Sequence, residues 1–393
     1  MSTPPGAGRQ LALATIAFTV CFFAWSLLGP LAPKLQDDLG LSDFASSATV
    51  AVPVLLGSLM RIPLGWAADR VGGRRIFVAL MLFTPVPLVA LALWHESVGT
   101  LLAFGFLLGF AGASFAVGVP FVNGWYPPER QGFALGVYGM GMGGTVLAGL
   151  LAPRMGGLAT PFWVATGSLL VTAAAFAGLA RDAPRARRAG APPSMFAAFT
   201  VLRSSGRAWA LTLFYFLAFG GFVAMFLYLP KLLTGVHDLT KPAAGARAAG
   251  FALLAVVARP TGGWLADRVG ATRVLQTSFA GVGGLAVMLA LTYEHMVPLT
   301  IACLSMAVML GLGTGAVFKL VPAWFPDQVG AVTGVVGAAG GLGGFFPPLL
   351  MSVVKSATGG YELGFLLMAL VALVCEAVLV ALGRESRPAR GAS

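Results

Sequence analysis

Charge is scarce in this sequence, and so are the side chains on which most enzyme chemistry rests. Only 10% of its 393 residues are Asp, Glu, Lys or Arg, and it has 14 acids, three histidines and three cysteines. Soluble domains carry about a quarter charged residues, so that whole class is excluded. Cys21, Cys303 and Cys375 all fall inside apolar runs, at no metal or redox spacing, and read as buried small hydrophobes. His95, His237 and His295 fall at the ends of runs or between them, and read as outward-loop residues. With no metal cluster, no nucleophile beside a base and no paired carboxylates within the runs, no metal, no cofactor and no enzyme active site are expected. The first apolar run, 11–33, is too long for a removable leader and lacks a small-residue cleavage site, so it reads as retained.

What the chain has instead is hydrophobic length. It is 58% hydrophobic with a mean hydropathy of +0.88, which marks a polytopic membrane protein. Runs of about twenty apolar residues, enough for a helix to cross a bilayer, occur at 11–33, 44–66, 76–95, 99–121, 132–153, 161–180, 208–230, 245–266, 274–293, 297–321, 330–353 and 362–383. An all-α membrane protein of twelve transmembrane helices is therefore expected. The net charge of +11 suggests nucleic acid, but the charges sort by side of the membrane rather than clustering on a soluble domain. Sixteen arginines and six acids fall on the side holding both termini, against six cations and seven acids opposite. That bias predicts cytoplasmic termini in the cytoplasmic (inner) membrane, with the lipid bilayer as partner and no nucleic acid.

The chain also repeats itself. Arg61, Gly65, Trp66, Asp69, Arg70 and Gly72 recur as Arg259, Gly263, Trp264, Asp267, Arg268 and Gly270, 198 positions later. Pro33, Lys34 and Leu35 recur as Pro230, Lys231 and Leu232 at an offset of 197. Gly132, Gly136, Gly139 and Gly143 recur as Gly330, Gly334, Gly337 and Gly341. Two six-helix halves are expected, 1–180 and 208–393, joined by a Pro- and Arg-rich cytoplasmic linker at 181–207. An even number of spans per half keeps both copies in one orientation, so the symmetry axis runs along the membrane normal.

Arg61 and Arg259 each precede the aspartate at a helix end by eight residues, which places them about 12 Å deep, near the midplane of a hydrocarbon core about 30 Å thick. Intramembrane arginines pair or mark a functional site. Glu376 is the only acid in the interior of a run, and one carboxylate cannot neutralise both. Two guanidinium forks with few other polar groups nearby suit a small, singly charged oxyanion. Phe22 and Phe219 are repeat partners, as are Phe115 and Phe318, and a flat anion fits between such rings. The glycine stripes each lie on one helix face, where they permit close packing and a smooth surface for rocking. Gly139, Gly141 and Gly144 do not form a dinucleotide loop, since no strand precedes them. Lys319 is a third intramembrane cation; it either snorkels at its helix end or attracts substrate and titrates.

The repeated loop, Gly65 to Arg75 and Gly263 to Arg273, resembles the signature of the major facilitator superfamily. That resemblance implies two pseudo-symmetric six-helix halves and a cytoplasmic gate at Asp69, Arg70, Asp267 and Arg268. Gln131 to Gly141, together with Gly330 to Pro348, resembles the two nitrate-signature helices of the NarK-type nitrate/nitrite porters. This narrower resemblance implies substrate arginines at Arg61 and Arg259, and aromatic contacts at Phe22, Phe115, Tyr215, Phe219 and Phe318. It further implies transport of nitrate or nitrite by alternating access, with exchange or proton symport as the coupling and Lys319 a candidate for it. Many members carry asparagine where this chain has Met142. Other small anions, such as formate, a monocarboxylate or phosphate, are the alternative cargo, and the chain is expected to work as a monomer.

Overall fold

In a computed structural model, residues 4–183, 205–358 and 360–385 are described. Among them the chain is helical, with no strand, as lipid requires of a backbone that must satisfy its own hydrogen bonds. The first half comprises α1 (Ala7–Leu39), α2 (Asp43–Val71), α3 (Gly73–Leu93), α4 (Val98–Asn123), α5 (Pro128–Arg154) and α6 (Thr160–Leu179). The second comprises α7 (Gly206–Val236), α8 (Lys241–Leu265), α9 (Ala271–Thr292), α10 (Met296–Trp324), α11 (Val329–Thr358) and α12 (Glu362–Glu385).

Ten helical stretches among the described residues are long and apolar enough to cross a membrane, and Val329–Gly344 is a shorter apolar one. One of the ten, Ala243–Thr292, runs 50 residues and holds two of the twelve expected spans. The backbone divides it at Gly270, with φ 95° and ψ 137°. Gly72 divides α2 from α3 in the same way, with φ 101° and ψ 138°. Side chains other than glycine avoid this conformation, so the repeated loop has a backbone reason for its glycine in both halves. Most of the expected linker, 184–204, lies outside the described residues.

The halves meet along two helix pairs related by the repeat, α2 with α11 and α5 with α8. Both glycine stripes line these contacts. A methyl group on Gly136 would sit 2.7 Å from the Arg259 carbonyl oxygen and 2.9 Å from Pro260 Cα. One on Gly334 would sit 2.8 Å from Ile62 Cα. Further along, Gly132 abuts the Gly263 backbone and Gly330 abuts that of Gly65. The stripes therefore bring backbones of opposite halves together, as helices do where hydrophobic burial gives no driving force.

The end of the bundle that carries the N-terminus is tied across several helices. Gln10 Nε2 donates to the Leu179 carbonyl (3.4 Å) and its Oε1 accepts from Arg181 N (2.9 Å). Trp125 Nε1 donates to the Arg181 carbonyl (3.1 Å), and Arg74 N donates to Asp182 Oδ1 (2.9 Å). At the other end, Tyr293 donates to Glu362 Oε1 (2.8 Å), and His237 Nε2 contacts the Tyr293 carbonyl (2.9 Å). Burial, and then the Glu362 carboxylate, push the Tyr293 phenol up to about 12. Cys21, Cys303 and Cys375 are free and buried.

Candidate functional site

Arg61 and Arg259 are each 2% exposed, so neither snorkels to water or faces lipid. Among the described residues, no carboxylate bonds either one. Arg61 Nε donates to the Gly112 carbonyl on α4 (3.2 Å), and Nη1 donates to the Gly337 carbonyl on α11. Arg259 Nη1 donates to the Gly139 carbonyl on α5 (3.1 Å) and also contacts Met142 Sδ, while its Nε has no acceptor. Each guanidinium thus reaches across to the glycine stripe of the opposite half. The stripe glycines leave the room, since a methyl group on Gly139 would lie 3.0 Å from Arg259 Nε and one on Gly337 would lie 3.1 Å from Arg61 Cδ. Glu376, on α12, keeps a buried oxygen without a partner and takes no part in this site.

Aromatic rings fill the region between the arginines. Phe18, Tyr138, Phe115, Tyr215 and Phe219 form a continuous stack, with successive centroids 4.9, 5.9, 6.1 and 5.1 Å apart and interplanar angles of 27°, 17°, 6° and 8°. Phe318 meets Phe115 and Tyr215 edge-on, both at 4.7 Å. Arg259 Cζ lies 5.9 Å from the Phe115 centroid and Arg61 Cζ lies 5.5 Å from that of Phe219. A desolvated contact of this kind contributes about 2 kcal/mol. Strict symmetry would put Phe22 under Arg259, where Phe115 is found. Phe22 instead packs on Phe18 (4.4 Å) and Trp25 (4.9 Å), one ring away from the charges.

Nearer the N-terminal end, Asp69 accepts from Gly330 N and Ala331 N, both at 3.0 Å, so it caps α11 of the other half. Asp267 caps α5 in the same manner, from Gly132 N (2.9 Å) and Phe133 N (2.7 Å). A carboxylate at a helix N-terminus is favoured by the unpaired amides and the helix dipole. Lys319 Nζ ion-pairs with Asp267 (2.6 Å) and donates to the Pro128 carbonyl across the divide. Its charge is therefore engaged in the contact between halves. Arg70 and Arg268 lie exposed over Trp66 and Trp264, at 5.2 and 4.2 Å, beside these contacts rather than in them.

A profile of the Major Facilitator Superfamily matches residues 14–246 and 233–393. The chain is 42% identical over 379 residues to the "Probable nitrate/nitrite transporter NarK2" of Mycobacterium tuberculosis (strain CDC 1551 / Oshkosh), covering 94% of this chain and 95% of that one. The chain belongs to the Major Facilitator Superfamily, in its NarK-type nitrate/nitrite porter family. Another relative of this transporter is the "Nitrite extrusion protein" of Bacillus subtilis (strain 168), 38% identical over 93% of this chain and 91% of that one. The human organic anion transporter MFSD10 superimposes with a TM-score of 0.81 at 16% identity, covering 96% of this chain and 100% of that chain. FucP in its outward conformation gives 0.77 at 16% identity, over 94% and 98%. These two likenesses concern the fold alone.

Three residues at the transporter's site escaped the sequence reading. Phe18 and Tyr138 belong to the ring stack, and Tyr138 donates to the Ser114 carbonyl (2.9 Å). A hydroxyl in the middle of a glycine stripe was the available signal for Tyr138. Ser58, one turn before Arg61 and 2% exposed, lies with Arg61 Nη1 around Gly341, while its repeat counterpart is Val256. Nothing in the spacing marked it.

Proposed function

We propose that the chain carries nitrate and nitrite across the cytoplasmic membrane by alternating access, with both termini in the cytoplasm. The observation that carries this reading is the pair of buried guanidiniums, one from each half, that no carboxylate neutralises among the described residues. Between them lie aromatic faces, two of them tyrosine rings, a setting poor in the hydroxyl and amide partners that a sugar or large zwitterion needs. In this reading Arg61 and Arg259 bind the anion's edges, Tyr215, Phe115, Phe219 and Phe318 line it, and Phe22 shapes the approach. The bound anion lessens the repulsion between the two cations, and the halves then pivot along the glycine faces. Asp69, Asp267 and Lys319 latch the cytoplasmic end.

An anion entering against an inside-negative potential meets a cost of about 2.3 kcal/mol per 100 mV. Exchange of nitrate for nitrite moves no net charge and needs no proton-carrying side chain. No Asp, Glu or His among the described residues bonds either arginine, which favours exchange. One chain supplies both arginines, so a monomer suffices. Reconstituted flux tests this: labelled nitrite should leave proteoliposomes only when nitrate or nitrite is supplied outside, and formate, acetate and phosphate should compete poorly. Uptake driven by a proton gradient alone would replace exchange with symport. Equal competition by formate would widen the cargo.

A further inference from the structure

The two arginines are not equivalent, and the difference lies in which of their edges are occupied. A guanidinium offers two forks to a pair of oxygens, a side-on one from Nε and Nη2 and an end-on one from Nη1 and Nη2. In Arg61, Nε already donates to the Gly112 carbonyl, so its side-on fork is half used. In Arg259, Nε is buried with no acceptor, and Nη2 donates to no protein group among the described residues. Its side-on fork is therefore open, while Nη1, at the opposite corner, is held by the Gly139 carbonyl and Met142 Sδ.

The local structure explains why these two acceptors converge. α5 tightens into a 3₁₀ turn at Met140–Met142, between the α-helical stretches Gln131–Gly139 and Gly143–Leu151. That turn brings the Gly139 carbonyl and the Met142 side chain to the same nitrogen. α11 runs as one uninterrupted helix through the repeat-related position and contributes only the Gly337 carbonyl to Arg61. Met142 is 5% exposed, so water does not substitute for its sulfur. The Phe115 ring centroid lies 5.9 Å from Arg259 Cζ, and the two Nη1 contacts hold that corner of the guanidinium.

We propose that Met142 is a positioning residue, which clamps the Nη1 corner of Arg259 so that its Nε and Nη2 edge is presented to two oxygens of a planar anion. The inference rests on the nitrate/nitrite reading above. It assigns the primary docking edge to Arg259, with Arg61 contributing its remaining Nη2 corner. A thioether is a weak acceptor, which holds the fork without drawing the charge away from the anion.

The test sets hydrogen bonding against packing. Met142→Leu keeps the bulk and removes the acceptor; Met142→Gln keeps the length and supplies a stronger one. Nitrite exchange should show KM raised about three- to tenfold in Met142→Leu, the range of an ordinary net hydrogen bond and below that of a charge-assisted one, because a thioether accepts weakly. kcat should stay within about twofold, since the chemistry of the pivot is untouched. Met142→Gln should return KM to the wild-type value. Packing alone predicts the reverse order, because leucine matches an apolar pocket and glutamine does not. A wild-type KM in Met142→Leu, or a Met142→Gln protein no better than Met142→Leu, overturns the proposal. Wild-type vesicles in the same assay separate this failure from the other one: if they carry neither ion, the substrate reading falls and the inference falls with it.

Discussion

Replacing Arg61 with lysine keeps a cation at the site and removes its geometry. The guanidinium of Arg61 donates to Gly112 on α4 and to Gly337 on α11 while lying 5.5 Å from the Phe219 ring centroid. A lysine ammonium on a shorter polar reach cannot meet both carbonyls and the anion at once. If one charge-assisted bond to the anion is lost, the cost is about 1.5–3 kcal/mol, a factor of about 10 to 150 in the affinity of the productive complex. The lost bond to Gly337 also loosens the contact between α2 and α11 at the site. Exchange of labelled nitrite in proteoliposomes, with reconstitution checked by size exclusion and thermal stability, should therefore fall to about 1–10% of wild type on this estimate. A folded Arg61→Lys protein with half the wild-type flux would refute the argument that the planar fork, rather than the charge alone, binds the substrate.

Further consequences follow from other parts of the fold. Lys319→Met removes the 2.6 Å pair with Asp267 and the bridge to Pro128, a loss of about 1–3 kcal/mol at a mostly buried pair after allowance for partial exposure. Spin labels at the exposed positions Arg75 and Arg273 should then report a larger population with the halves apart at that end, and an unchanged distance distribution would count against the latch. Gly136→Ala places a methyl 2.7 Å from the Arg259 carbonyl oxygen, so flux should drop about tenfold from overpacking while Gly149→Ala, in open space, should transport normally. The Tyr293 phenol, held up to about 12 in the folded protein by burial and Glu362, stays neutral there after an unfolded tyrosine would ionise near 10. Its contribution to stability is complete below about pH 10 and is lost as pH rises toward about 12. The stability difference between wild type and Tyr293→Phe should shrink over that window, and a constant difference would remove the shift.

Much of this arrangement was legible because the chain states it twice. Arg61 and Arg259, the capping Asp69 and Asp267, and the glycines of α5 and α11 all sit at matching offsets, and the fold uses them at related places. The repeat was a poorer guide where the two halves diverge. Ser58 has Val256 as its counterpart, and the ring beneath Arg259 is Phe115 rather than Phe22. Lys319, whose repeat position in α4 is Ala116, offered no second copy to show that it serves the contact between halves. The break at Gly270 was legible as the gap between the runs 245–266 and 274–293, but that it takes no loop residues was not, because hydropathy reports apolar length and not a backbone turn. Tyr138 and Met142 were visible as letters in the glycine stretch, but their roles depend on the 3₁₀ turn at Met140–Met142 and on neighbours from α4 and α8.

The central claim is that one anion is held jointly by a guanidinium from each half. Equilibrium binding of nitrate and nitrite to the purified protein tests it without the complication of flux, using wild type, Arg61→Gln and Arg259→Gln. The account predicts one ion bound per wild-type chain and loss of binding in each single variant, although each keeps the other arginine. Wild-type affinity in either variant, with that variant folded, would contradict it.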